Sequence, residues 1–398
     1  MTTPRFIQIH SLVSYPAVLL NRDDAGQAKR MSYGGAMRTR VSSQCLKRHW
    51  RKAEDDDWSL AATGLELSAR SREIFEYEIE PKLRAAVPGA SDEAVKAVGD
   101  AVSKVIYGKK FETVRSRQAM LLGYPEIRFL TDEAITLVRD GATAEAIAAR
   151  FEGKDAKANF AAMKAAAGSL AAGLEAALFG RMVTSDPSAN TDAAIHVAHA
   201  FTVHAQEAET DYFTVVDDLK ERDPDEDSGS AGIFDTELTS GVFYEYVVVD
   251  VAQLVANITG CDARARDAWK AADRALPAKV LEHLVHLIAT VSPGAKKGST
   301  APYAFSRTLL VEAGSAQPRS LAAAFERPVE ARRGESMGGK AEAALLATLG
   351  RFDAAYGKRE ARRLLSVEGG DPGAVAEGPI GLDGLAAWVR DVVEKAEA

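Results

Sequence analysis

The chain has 398 residues, 46% of them hydrophobic, and carries a net charge of −8. That length can bury a sizeable core and suggests two or three compact units, while the acidity excludes a protein that coats nucleic acid with every face. The only cysteines, Cys45 and Cys261, exclude a disulfide framework beyond one bridge, and the apolar run at 17–20 behind Pro16 is too short for a membrane span or signal core. A cytoplasmic protein without membrane partners is expected.

Residues 5–13 mix β-branched and aromatic residues, which predicts a strand, and Pro16, Asn21, Asp23, Asp24 and Gly26 then predict a long loop. A helix starts near Ser42 or Ser43. From about 56 to 180 the chain is rich in Ala, Glu, Leu and Arg, with helical spacing broken at Pro81, Pro88, Gly123, Pro125 and Gly153, so a helical insertion is expected. Stretches 193–203 and 242–251 are the next strand candidates, separated by an excursion whose run 220–230 is too polar to pack. A protruding loop or hairpin is expected there. Residues 264–291 read as helix interrupted near Pro277, 308–312 as a short strand, and the tail beyond 319 as mostly helical with a break around Gly369, Gly370, Pro372 and Gly373. The core order strand, helix, strand, strand, helix, strand suits an α+β fold, a ferredoxin-like or RRM-like sandwich with large insertions.

Charge is concentrated in one place. Between Arg22 and Lys52 nine Lys or Arg residues sit among two acids, a local +7 in an acidic chain, with Arg38 and Arg40 in its densest part. If Ser42 caps a helix, a 100° step puts Leu46, Trp50 and Ala53 on one face and Gln44, Lys47, Arg48 and Arg51 opposite. Lys47 and Arg48 then lie early in the helix, where the macrodipole disfavours cations by about 0.3–1 kcal/mol each. A bound polyanion reverses that cost. The Ser42 and Ser43 hydroxyls, the first helical N–H groups and the Gly34-Gly35 pair add neutral donors suited to phosphate oxygens. The competing reading is a basic helix face that is simply solvated.

Several motifs in order give this segment a wider context. They are Asn21-Arg22-Asp23-Asp24, Gly34-Gly35, Arg38, Arg40, the run 42–48, Gly180-Arg181-Met182, the run 211–219, the run 240–244 and the run 291–296. Together they resemble the CasC family, the CRISPR RNA-binding backbone subunits of the type I-E Cascade complex, over most of the chain. The resemblance implies a modified RRM-like (ferredoxin-like) palm with a large helical fingers insertion and a protruding thumb hairpin. It divides the chain into a first palm part (1–55), fingers (56–180), a palm strand (181–204), the thumb hairpin (205–240), the rest of the palm (241–330) and a C-terminal helical region (331–398).

The resemblance also implies copies stacked head to tail along the CRISPR RNA, other Cascade subunits and target DNA as partners, a role in antiviral defence, no cofactor and no cutting. It brings Asn21, Arg22, Gln44, Lys47, Arg48 and Arg51 to the RNA backbone, adds Arg181 and Lys296 from matched motifs, and sets Met182 against a base. Phe213, Thr214 and Ile233 become the thumb wedge, with Tyr212 replacing the family's Trp, and Lys154 and Lys157 become contacts to target DNA. An alternative role, metal-dependent cleavage of guide-paired target RNA, would use Asp23 and Asp24. Two other signals are set aside. Residues 334–340 have P-loop spacing but lack the following Ser or Thr and a preceding strand. The histidines His196, His199, His204, His283 and His286 have no Cys pair or acidic cluster beside them in sequence, and no metal site is expected.

Overall fold

The computed structural model describes residues 3–152, 156–215, 232–262, 265 and 267–395. Its strands are β1 (Phe6–Val18), β2 (Arg30–Tyr33), β3 (Ala36–Val41), β4 (Ser68–Ser71), β5 (Met120–Gly123), β6 (Ile195–Val197), β7 (Ala200–Thr202), β8 (Glu207–Val215), β9 (Gly232–Asp250), β10 (Ser306–Gly314) and β11 (Ala361–Ser366). The main sheet runs β11-β10-β1-β9-β7-β3-β2, with β6 and β8 also paired to β9, and β4 with β5 form a small sheet of their own. All these pairings are antiparallel. β1 is central because alternate positions bury on both sides: Ile7, Ile9, Val13 and Tyr15 enter one core, and Leu12 enters the other.

The helices are α1 (Ser43–Arg51), α2 (Glu80–Ala86), α3 (Asp92–Tyr107), α4 (Tyr124–Arg139), α5 (Ala144–Phe151), α6 (Phe160–Ala167), α7 (Leu174–Phe179), α8 (Val251–Thr259), α9 (Ala268–Ala271), α10 (Ala275–Thr290), α11 (Lys297–Thr300), α12 (Met337–Tyr356) and α13 (Leu382–Glu394). α1, α8, α10 and α13 cover one face of the sheet, and α12 covers the other together with Leu321 and Phe325. A third apolar cluster, built on Ile79, Val98, Val102, Ile127 and Leu130, joins α2 to α6 into a helical layer. Each such Leu, Ile or Val contributes about 1.5–3 kcal/mol by leaving water. The fold is therefore mixed α and β, an antiparallel sheet with helices on both faces.

Several elements differ from expectation for identifiable reasons. β1 continues past Pro16 to Val18, because a bulge between Tyr15 and Val18 takes the proline out of the ladder and the Ala17 N–H donates to Ser240 Oγ at 2.9 Å. The expected long loop contains the β2–β3 hairpin, whose two-residue turn is Gly34-Gly35 at φ of 60° and 76°. At Gly34 a side chain would also strike the Glu326 carbonyl. Pro277 does not interrupt α10; it lies in the first turn, where the helix needs no N–H from it. The expected strand at 193–203 is two short strands, and the tail supplies β11 as the sheet edge.

β11 was hidden by its paired arginines. Arg362 is buried there and its guanidinium meets Glu312 at 2.7 Å and Asp353 at 2.6 Å, while Glu312 also receives Arg319 at 2.6 Å and His10 at 3.0 Å. Burial alone would raise the Glu312 pKa, but the hydrogen bonds from His10 and Arg319 hold it well below the usual carboxylate range. Such a network needs every member, since removing one leaves an uncompensated buried charge.

Candidate nucleic-acid interface

Local capping sets the position of α1. Ser42 is its N-cap, with Oγ accepting the Cys45 N–H at 3.3 Å, and Asn21 Oδ1 accepts the Ser42 N–H at 3.0 Å. The loop carrying Arg22 is thereby fastened to the start of the helix. Leu46 and Trp50 are fully buried beneath α1, which leaves Gln44 and Arg48 exposed and Lys47 and Arg51 half-buried on its outer side.

Like charges gather on that side. Burial, and then the Arg70 guanidinium of β4, lower the pKa of both Lys47 and Arg51, with Glu175 opposing the shift at Arg51. Lys29 and Arg40 lie close enough to act on His199, and Lys297 acts on His49. Among the described residues none of Arg22, Lys29, Arg40, Lys47, Arg48, Arg51, Lys52 and Arg70 makes a salt bridge. Arg51 Nε is buried with no hydrogen-bond partner. Cations held together, partly dehydrated and unpaired, destabilise the free chain, and an anion laid across them removes the penalty.

The sequence-derived site residues separate into three groups. Arg22, Gln44, Lys47, Arg48 and Arg51 stand on this surface together with Arg40, which also donates to the Arg30 carbonyl at 3.1 Å and meets His199 at 3.2 Å. Asn21, Ser42 and Ser43 build the surface from below: the two serines are buried, and the Ser42 hydroxyl is committed to the helix cap. Arg38 and Arg181 require correction. Arg38 is 0% exposed and donates to the carbonyls of Thr202 and Phe325, both at 2.9 Å, so it staples the β2–β3 hairpin to the body. Arg181 is buried against Glu126 at 2.6 Å and the Ala189 carbonyl at 2.9 Å. Both guanidinium groups are committed to partners within the fold.

Met182, next to that buried arginine, is 69% exposed. β8 and the first half of β9 pair from Glu207 with Ser240 to Val215 with Gly232, and form the two arms of a hairpin. Phe213 stacks on Phe234 at 5.5 Å, Thr214 pairs with Ile233 in the ladder, and Tyr212 is exposed. Lys296 braces this hairpin instead of facing solvent alone: Nζ donates to Thr236 Oγ1 at 2.6 Å and lies 5.0 Å from the Phe213 ring centre. Glu237 ties the hairpin to the basic segment, accepting from Arg30 and from the Ala28 N–H at 3.2 Å. Lys157 is exposed in the helical layer, while Lys154 and the polar run 220–230 lie outside the described residues.

The set-aside residues also have places. Asp23 Oδ1 accepts the N–H groups of Ala25 at 2.9 Å and Gln27 at 3.0 Å, closing the loop that presents Arg22, and Asp24 is exposed. No group of three or more His, Cys, Asp or Glu gathers among the described residues. Ser336, in the P-loop-like run, caps α12, and His286 stacks on Trp58 at 3.6 Å. Arg70 and Lys297 lie outside the site residues expected from sequence, and Lys29 entered only as part of the basic segment. Arg70 was absorbed into a stretch read as helical, although Ser68 to Ser71 forms a strand.

The profile of the CT1975-like protein family, Cas_CT1975, matches residues 7–385. The chain belongs to that family. Among solved structures, a chain of a "CRISPR RNA-guided surveillance complex, pre-nicking" superposes with a TM-score of 0.76 at 26% identity, covering 98% of this chain and 100% of that one. A chain of a "CRISPR RNA-guided surveillance complex" shares the fold at a TM-score of 0.65 and 22% identity, covering 96% and 99%. No curated protein matches the chain. For this member of the CT1975-like family, the helix bearing the unpaired cations lies inside the family match. No helix among the described residues is long and apolar enough to cross a membrane.

Proposed function

We propose that this chain is a CasC-type backbone subunit of a type I-E Cascade complex, binding CRISPR RNA through the outer face of α1. The observation that carries the reading is the cluster of Lys47, Arg48, Arg51 and Arg70 in an acidic chain, without salt bridges among the described residues and with Lys47 and Arg51 half-buried. The four-strand order β10-β1-β9-β7 is that of an RRM-like palm, the helical layer takes the part of fingers, and the β8–β9 hairpin that of a thumb. Exposed Met182 and the Phe213–Phe234 stack offer apolar surfaces where bases are splayed. Copies associate head to tail along the guide, alongside other subunits, and the filament presents it to target DNA in antiviral defence.

The subunit binds without cutting. Asp23 favours this over the cleavage alternative, because one of its oxygens already closes the loop of Arg22. Gel-shift titration of the full chain with repeat-spacer RNA tests the reading. Lys47→Glu with Arg51→Glu is expected to abolish measurable binding at moderate salt, and the neutral pair Lys47→Gln with Arg51→Gln to lower the magnitude of the salt slope by about 0.7 per lost phosphate contact. Unchanged affinity in the reversed-charge variant, with an unchanged thermal melt, removes the proposed surface.

A further inference from the structure

The basic surface does not end at α1. Arg70, which acts on both Lys47 and Arg51, is followed two residues later by Arg72, and both are exposed with no salt bridge among the described residues. The Arg72 carbonyl accepts from the buried Arg117 Nη1 at 2.9 Å. Arg117 in turn donates from Nε to the Phe111 carbonyl at 2.7 Å, meets Glu76 at 2.6 Å and lies over the Tyr107 ring at 4.9 Å. This arginine therefore clamps the loop 108–118 beside Arg72. The loop displays Lys109, Lys110 and Arg115, all exposed and without a carboxylate partner among the described residues, against one acid of its own, Glu112.

The contrast within the helical layer is informative. Lys82, Arg84, Lys96, Lys104, Arg128 and Arg150 each have a carboxylate within salt-bridge distance. Elsewhere in the layer Arg139, Lys157 and Lys164 lack one among the described residues, but they come from separate elements; among the described residues of the layer, unpaired cations concentrate on the 108–118 loop, which is fixed by a buried arginine. Such a loop is preorganised to meet a row of anions without ordering itself first.

We infer that Arg70, Arg72, Lys109, Lys110 and Arg115 form a second phosphate track, continuous with α1, that holds phosphodiester groups of a nucleic-acid strand along the helical layer. The inference rests on the RNA-binding reading of α1 and extends it to five residues beyond that helix. The strand is either the guide running on past α1 or the strand paired with it, and the two are separable by experiment.

The full chain is titrated with labelled repeat-spacer RNA and, separately, with the same RNA annealed to complementary DNA, at several salt concentrations. The variant replaces Lys109, Lys110 and Arg115 with Gln, all on an exposed loop, and a thermal melt checks its fold. A salt slope smaller in magnitude by about 2 on RNA alone assigns the track to the guide. A loss confined to the duplex assigns it to the paired strand. Unchanged slopes on both, with native RNA binding intact, overturn the track and leave the loop to an acidic protein surface. Absence of RNA binding by the native chain instead fails the α1 reading itself.

Discussion

Arginines with the same sequence context have opposite fates in this chain. Arg38 and Arg40 sit two positions apart in one basic run, yet Arg38 is sealed beneath the 325–326 segment and Arg40 stays at the surface. Local spacing put both on one strand face; only the return of a segment almost 290 residues later decides which is covered. Arg181 is committed in another way, to Glu126 and the Ala189 carbonyl. By contrast, the α1 stripe of Leu46 and Trp50 was legible, because a capped amphipathic helix encodes its own buried face. Glu245 is a residue whose state follows from burial alone. It pairs with Ser11 in the sheet, has no ion pair among the described residues, and burial pushes its pKa up to about 8. An unfolded glutamate titrates near about 4.3. The folded chain therefore holds a proton that the unfolded chain has lost, and stability falls as pH rises from about 4.3 to about 8. Glu245→Gln is expected to raise the melting temperature strongly at pH 8 and to add under about 1 kcal/mol at pH 5. Equal shifts at both pH values in thermal melts contradict this assignment.

At the scale of elements, strands with regular alternation were readable and those made by turns were not. β1, β9 and β10 announced themselves by β-branched residues, whereas β2 and β3 depended on recognising Gly34-Gly35 as a hairpin turn. β4 and β11 are polar, edge-like segments that pattern reasoning assigns to helix or loop, and tertiary pairing overrides that preference. The β8–β9 hairpin was expected as an excursion, but the bracing of its arms was not. Lys296 holds it through Thr236 and the Phe213 ring. Lys296→Met is therefore expected to speed amide exchange at 207–214 and 234–240 by about tenfold, equivalent to about 1.4 kcal/mol, which lies within the range of a charge-assisted hydrogen bond plus a cation–π contact. Exchange is expected to stay unchanged at β1 and β10. Unaltered exchange in the hairpin rules out the brace.

Over the whole molecule, the division of charge is the property that sequence and structure share. The chain is acidic overall; Lys82, Arg84, Lys96, Lys104, Arg128 and Arg150 of the helical layer are paired, and among the described residues cations without a salt bridge cluster on α1, β4 and the 108–118 loop. An acidic chain with its cations concentrated on one stretch of surface discourages indiscriminate binding while leaving a path for a polyanion. The α+β class and the order of the main strands were legible because they follow from a few long apolar segments. The extent of the basic surface was not, since Arg70 reaches α1 only through a two-stranded sheet between segments about 50 residues apart. Ultraviolet cross-linking of the full chain to repeat-spacer RNA, with the attached peptides mapped by mass spectrometry, tests the central claim most directly. The account predicts cross-links concentrated in peptides spanning 44–51 and at Met182; cross-links confined to α12 and α13, with none on α1, would contradict it.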